Sequence, residues 1–584
     1  MKSSILSARQ LMAGVGLVAL ALMAQPAFAE EPKAGGTFKL VGSGDVAGFD
    51  PVSARSASVF LHRALTRTLV AFPTDADPKV AAQPVPDLAE AVPSPEEGGL
   101  VYRFTIREGA MWNTDEPRQI TAEDAIRGFK RLCNPVQPTG TPTYYIGIIK
   151  GFAEFCDGFA QVPADVESIR SYVEGTQVAG LTAEDERTLK ITLERPTADF
   201  TSILALISSA PIAVEMLDYL PNSPELRRNY VGSGPYVIED YILNEQLNLV
   251  RSTTWNADAD PLRKAYVDRI EVAFGTPDAG KTQRMIEAGD IDGYFDLSIA
   301  TADLTRIMEN PDDPQLLQFA DGAVNPILVL NIASPNNNAA LADIRVRQAI
   351  NYAVNKAAIV QVGGGPAVKQ AVDQILTANV IGYEPYSLYP TPNNEGDPEK
   401  AKALLAEAGF PDGIELKFSY ASGGRYDLYS AALEADLAKA GIKLIMQPAP
   451  SRTVMSQMYQ NRQATNAGAW DVGMTSIRAD WVGDSARTMI VPMFDGEACE
   501  SSTSNWTCYN NPEVNTLIDT ALTANDEAAA AAAWAAADKA IMTDAPIVPL
   551  ITGKISLYAS ERMRGTTVNL LFNNVDPTLV WIAE

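Results

Sequence analysis

Leu100-Val101-Tyr102-Arg103-Phe104-Thr105-Ile106 is followed by Arg107-Glu108-Gly109-Ala110-Met111-Trp112 and, a short loop later, by Ile120-Thr121-Ala122-Glu123-Asp124-Ala125-Ile126. The first run alternates apolar and polar residues, the period of a half-buried strand, and Gly109 supplies a turn. Thr121 is a side-chain acceptor for a helix start, and Glu123 and Asp124 put negative charge where the helix dipole favours it. Working outward, Gly36 to Val41, Thr188 to Leu193 and Val267 to Phe274 also read as strands. Asp343 caps a helix expected from Arg345 to Val360, and Asp397-Pro398-Glu399 opens one that stops at Gly409. Ala528 to Ala537 is alanine apart from Trp534 and reads as a helix anchored by that indole. Strands alternating with capped helices make the class α/β, or mixed with an α+β insertion.

The 584 residues carry 72 Asp and Glu against 46 Lys and Arg, a formal charge of −26, with 46% hydrophobic residues. That is enough apolar material for large cores, and disorder is excluded. The acidic excess argues against nucleic acid as a partner, since phosphate backbones are bound by clustered cations.

The first 29 residues read as an export signal. Lys2 and Arg9 precede an apolar run from Leu11 to Met23, and Ala27-Phe28-Ala29 offers a cleavage site before Glu30. The apolar run is shorter than the roughly 20 residues of a membrane span. Cleavage after Ala29 would release a soluble, exported chain of charge near −28. Cys133 and Cys156 are 23 residues apart and Cys499 and Cys508 nine apart. In an exported protein this favours two local disulfides, with connectivity left open. No C-x-x-C pair supports a structural zinc.

Chemistry is scarce. The single histidine, His62, lies on a helical pattern with no nucleophile motif beside it and reads as a packed or surface side chain. No G-x-S-x-G, P-loop or H-E-x-x-H motif occurs, and no cofactor or metal motif. Val231-Gly232-Ser233-Gly234-Pro235-Tyr236 reads as a turn feeding a strand, and Asp258-Ala259-Asp260 as a solvated acidic turn. Asn505-Trp506-Thr507 matches a glycosylation acceptor. Which acids pair in space is not written in the sequence, so a secreted hydrolase stands as the rival from another class.

Five blocks together resemble the family 5 extracellular solute-binding proteins, the oligopeptide- and dipeptide-binding components of ABC importers. These are Tyr102 to Trp112, Ile120 to Ala125, Gly232-Ser233-Gly234-Pro235-Tyr236, Ile344-Arg345-Val346-Arg347-Gln348-Ala349-Ile350-Asn351-Tyr352-Ala353, and Asp397 to Pro411. The chain departs from the pattern between Trp112 and Thr121 and in its two cysteine regions. The resemblance implies a two-lobed, hinge-closing (type II) periplasmic binding protein that catalyses nothing. Lobe one would span 30–275 with an inserted subdomain at about 73–190, lobe two 276–550, and a C-terminal return 551–584. Hinge crossings would fall near Gly275-Thr276-Pro277 and Leu550-Ile551-Thr552-Gly553. It also implies a monomer that delivers a short peptide to an inner-membrane ABC permease, with an amine, opine-like compound or oligosaccharide as the alternative solute.

A peptide's α-ammonium needs a fixed carboxylate in a desolvated cleft. By the same resemblance that acid is Asp480, in Arg478-Ala479-Asp480-Trp481. Arg478 and Arg425 are candidates for a ligand carboxylate, Trp481 for a side-chain pocket wall, and Asn331 for the cleft edge.

Overall fold

In a computed structural model the described residues are 30–583, apart from 47, 54–56, 138–142, 222, 276–277, 424, 497–503 and 525. The expected export signal, Thr276 and Pro277 of the first hinge, and Cys499 therefore lie outside the described residues. Residues 33–584 form one compact unit.

Two five-stranded mixed sheets organise that unit. In the first, Thr37–Val41 lies parallel between Gly293–Tyr294 and Arg269–Ala273, and Gln246–Arg251 and Tyr236–Ile242 continue the sheet antiparallel. Its core gathers Phe38, Leu40, Tyr236, Leu247 and Ile270 with C-terminal residues Phe572, Val575 and Val580. Contacts with the first sheet continue past the expected lobe limit at 275. Gly293 pairs with Leu40, and Ile286, Ile291 and Tyr294 share an apolar cluster with Val41.

The second sheet runs Ile442–Ala449, Ile414–Ala421, Val472–Arg478, Ala323–Leu330, Ile547–Pro549. Ile414–Ala421 is parallel to both its neighbours. Helices cover it. The expected helix from Asp343 breaks into Ile344–Ala353 and Lys356–Val362. Asn355 stops the first by capping the second, accepting from the Ala358 N–H at 2.9 Å, the local competition that keeps Asn out of helix interiors. Arg347, buried in the first helix, donates to the carbonyls of Asp544, Leu341 and Ala342, each at 2.9 Å. It thereby satisfies the end of Glu527–Asp544, the alanine-rich helix in which Trp534 is buried.

A three-stranded sheet joins the lobes. Ile551–Tyr558 pairs antiparallel with Leu316–Ala320 and with Lys369–Ala371. Ile551 belongs to the core of the second lobe, whereas Leu557 and Tyr558 belong to a cluster of the first. The chain thus crosses along two paired extended segments.

The opening stretch builds a smaller sheet, Val101–Thr105 beside Thr188–Thr192 and Leu181–Ala183. Thr121 and Asp124 form a reciprocal capping box on the helix Ala122–Lys130. Cys133 and Cys156 are disulfide-bonded in the same core, with Cα atoms 5.3 Å apart.

The Gly232–Pro235 turn feeds Tyr236–Ile242, and the Ser233 and Gly234 N–H groups both donate to Leu65 O at 3.0 Å. His62 is buried, Nδ1 lies 3.1 Å from Thr66 Oγ1, and burial draws its pKa down to about 3. Asp260 is not solvated: Trp255 Nε1–H and the Arg263 guanidinium donate to it in a buried network that includes Arg67 and Asp87. Asn505 is buried, its amide donating to Asp495 O and Tyr509 O, so it offers no accessible glycosylation acceptor.

Candidate functional site

A cavity of ≈ 680 Å³ opens where the lobes meet. Its first-lobe wall holds Phe60, Tyr144, Phe295, Asp296 and Phe572, and its second-lobe wall Arg452 and the run Arg478 to Val482. Aromatic walls with a few charged groups suit a small solute carrying both signs of charge.

The run begins where the strand Val472–Arg478 ends. The Asp480 N–H donates to Thr488 Oγ1 at 3.0 Å, and the Tyr144 hydroxyl, from the other lobe, donates to Asp480 Oδ2 at 2.5 Å. Burial and then the charge of Asp480 push the Tyr144 phenol well up, so it stays a donor. Trp481 is buried, edge-on to Tyr144 with centroids 5.5 Å apart, and joins the apolar core of the subdomain that holds the opening stretch.

The run continues as a contact between lobes. Trp481 Nε1–H donates to Asp484 Oδ1 at 2.6 Å, and Ser202 Oγ donates to Asp484 Oδ2 at 3.0 Å. Arg487 donates to Asp199 at 2.7 Å, with both side chains less than a tenth exposed. Burial, reinforced by the charge of Asp199, raises Asp484 to about 6. Burial raises Asp199 as well, opposed by Arg487.

The sequence-derived candidates separate into three groups. Asp480, Arg478 and Trp481 all line the cavity. Arg478 is also paired with Asp321 at 2.9 Å. Arg425 lines a neighbouring cavity instead. Asn331 lies apart from both linings. It is completely buried, its amide donating to Thr465 O and Trp470 O at 2.9 Å and its oxygen accepting from Ala333 N–H. It braces the loop before the strand Val472–Arg478 and does not reach the cavity lining.

Tyr144, Asp296, Arg452, Asp484 and Arg487 were not singled out from sequence. Asp296 is held by the Ser43 N–H and hydroxyl, both at 2.7 Å, across more than 250 residues of chain. Only the spacing of Asp480, Trp481 and Asp484 hinted at a shared turn. Among the described residues no group of three or more His, Cys, Asp or Glu is arranged to hold a metal, and no helix is long and apolar enough to cross a membrane.

The family described as bacterial extracellular solute-binding proteins, family 5 middle, matches residues 83–494. Heme-binding protein A of Haemophilus influenzae is 26% identical over 501 residues, 82% of this chain and 81% of that protein. Di/tripeptide-binding protein 4 of Pseudomonas aeruginosa is 25% identical over 505 residues, 84% and 85% of the two chains. The solved structure of clavulanic acid biosynthesis oligopeptide binding protein 2 superposes with a TM-score of 0.84 at 26% identity, over 94% of this chain and 96% of that one. An interlobe cavity of this kind and a match over most of the length converge. The chain belongs to the family 5 bacterial extracellular solute-binding proteins, as the non-catalytic component that binds a small solute for an ABC permease.

Proposed function

We propose that this protein captures short peptides with a free amino terminus in the interlobe cavity, in the periplasm after cleavage behind Ala29, and delivers them as a monomer to an inner-membrane permease. The observation that carries the reading is Asp480. It is a carboxylate on the cavity wall, held by Tyr144 from the facing lobe and by a backbone N–H bond to Thr488. A fixed acid offers an ammonium a charge-assisted hydrogen bond, the strong kind. Arg478 and Arg452 on the same wall suit the carboxylate end, and Trp481 a side chain. Similar proteins are named for di- and tripeptides and for haem. Against haem, the described cavity lining has no His, Cys or Met to ligate iron, and its tyrosine is engaged by Asp480.

A thermal-shift and calorimetric series with di- to pentapeptides tests this. Free peptides should bind, N-acetylated ones should bind at least tenfold more weakly, and Asp480→Asn should erase that difference. Equal binding of free and acetylated peptides removes Asp480 from the role. No binding of any peptide removes the peptide reading.

A further inference from the structure

A second cavity of ≈ 310 Å³ adjoins the first, with Ser298, Arg478 and Ile555 common to both linings. Its charged lining is unbalanced: Lys369, Arg425, Arg478 and Lys554 face a single carboxylate, Asp321. That carboxylate is about nine-tenths buried and pairs with Arg478 at 2.9 Å. Among the described residues Lys369 and Lys554 have no ion pair and no side-chain hydrogen bond. Half-buried Lys369 is therefore the anomaly, because an ammonium removed from water is costly unless something pairs it.

The site is built rather than incidental. Lys369 and Gly553 are register partners on adjacent strands of the joining sheet, and Lys554 follows Gly553. The Asp321 N–H donates to Gly553 O at 2.7 Å, fixing the acid to the same point. Glycine is required there, since a Cβ on Gly553 would lie 2.6 Å from Lys369 Cδ, and one on Gly363 would lie 3.0 Å from its Cγ. The lysine stem thus occupies a slot between two glycines and carries its charge to the annex. Burial, with the charges of Arg425 and Arg478 adding to it and Asp321 opposing, draws the Lys369 ammonium below the usual lysine range. A bound anion would relieve that repulsion.

The geometry points to this annex as an anion subsite of the ligand cavity, taking an oxyanionic group, carboxylate or phosphate, on the part of the ligand remote from its ammonium. The inference rests on the peptide reading for the rest of the ligand. Arg478 and Asp480 are separated along extended chain by roughly 7 Å. A ligand anchored at Asp480 reaches Arg478 with its backbone and the annex with one further group. The favoured class is a short peptide whose distal residue adds negative charge to the terminal carboxylate.

Calorimetry of the mature chain with Ala-Ala-Ala, Ala-Ala-Glu, Ala-Ala-phosphoserine and Ala-Ala-Ala amide tests it. The two doubly charged ends should bind tenfold or more tightly than Ala-Ala-Ala, and the amide most weakly. Lys369→Met and the exposed Lys554→Gln should cancel the gain, while Lys369→Arg keeps it. Preference between glutamate and phosphoserine distinguishes a carboxylate from a phosphate ligand. Equal affinities across the series, or variants that keep the full gain, overturn the annex while leaving the peptide reading intact. If no peptide binds, that reading fails alone. Inorganic phosphate and citrate then decide the annex: stabilising the native chain but not Lys369→Met supports it, and equal effects on both overturn it.

Discussion

Replacing Arg487 by Met separates closure from folding. In the structure Arg487 and Asp199 meet across the lobes, 8% and 9% exposed at their side chains, so solvent screens the pair little. Removing one partner of a buried pair costs about 3–5 kcal/mol when the other charge is trapped. Here Asp199 has two escapes. It can protonate, being already raised by burial, or the lobes can part and return it to water. Either brings the penalty on the closed form towards about 2–3 kcal/mol, close to a single charged hydrogen bond. Both lobes keep their own cores, so the penalty falls on the closed population rather than on folding. Affinity scales with the competent fraction, and roughly 30–150-fold weaker binding of the best peptide is expected, with a melting temperature changed little. Small-angle scattering should show a more open chain without ligand. Arg487→Lys should recover part of the loss, because a point charge replaces a fork. An affinity within twofold of the native value refutes the reasoning.

Asp484 sets a pH dependence on the same contact. Its carboxyl rises from 3.8 to about 6 on burial beside Asp199. The folded, closed form therefore holds a proton that the free side chain gives up. Stability from this group is fullest below about 4 and is lost as pH rises through 6, by an amount of order 3 kcal/mol. Ligand affinity should weaken between about pH 4 and 6, and Asp484→Asn should flatten that profile in a calorimetric titration; a variant with the native slope removes Asp484 as its source. The Cys133–Cys156 disulfide closes a loop of 23 residues, for which the chain-entropy model gives about 3 kcal/mol. A Cys133→Ser, Cys156→Ser double variant should lose that much in urea denaturation, and a loss below 1 kcal/mol would count against the loop-closure account. Arg347→Met should destabilise the chain by about 3 kcal/mol, since three carbonyls around a buried side chain lose their donor; unchanged denaturation would mean water replaces it.

Local patterns carried much of the architecture. Alternation at Leu100 to Ile106, the Thr121 cap and the Pro398 to Gly409 helix depend on neighbours within a few positions, and the structure keeps each of them. Composition and the solitary histidine pointed away from catalysis, and five ordered blocks pointed to the family. The stretch from Arg478 to Trp481, singled out by the family resemblance, lies on the cavity lining.

Long-range pairing decided what local patterns could not. Asn331 looks like a cleft residue by order along the chain, yet its burial follows from backbone carbonyls more than 130 positions away. Gly293 and Tyr294 find a partner strand at residues 40–41, about 250 positions away. Tyr144 meets Asp480 across 336 residues and Arg487 meets Asp199 across 288. Lys369 reads as an ordinary surface lysine until Gly553 is laid beside it. Periodicity and capping are written within one or two turns of chain, whereas a cleft exists only where two lobes converge, so its charges acquire partners, burial and shifted protonation only in three dimensions.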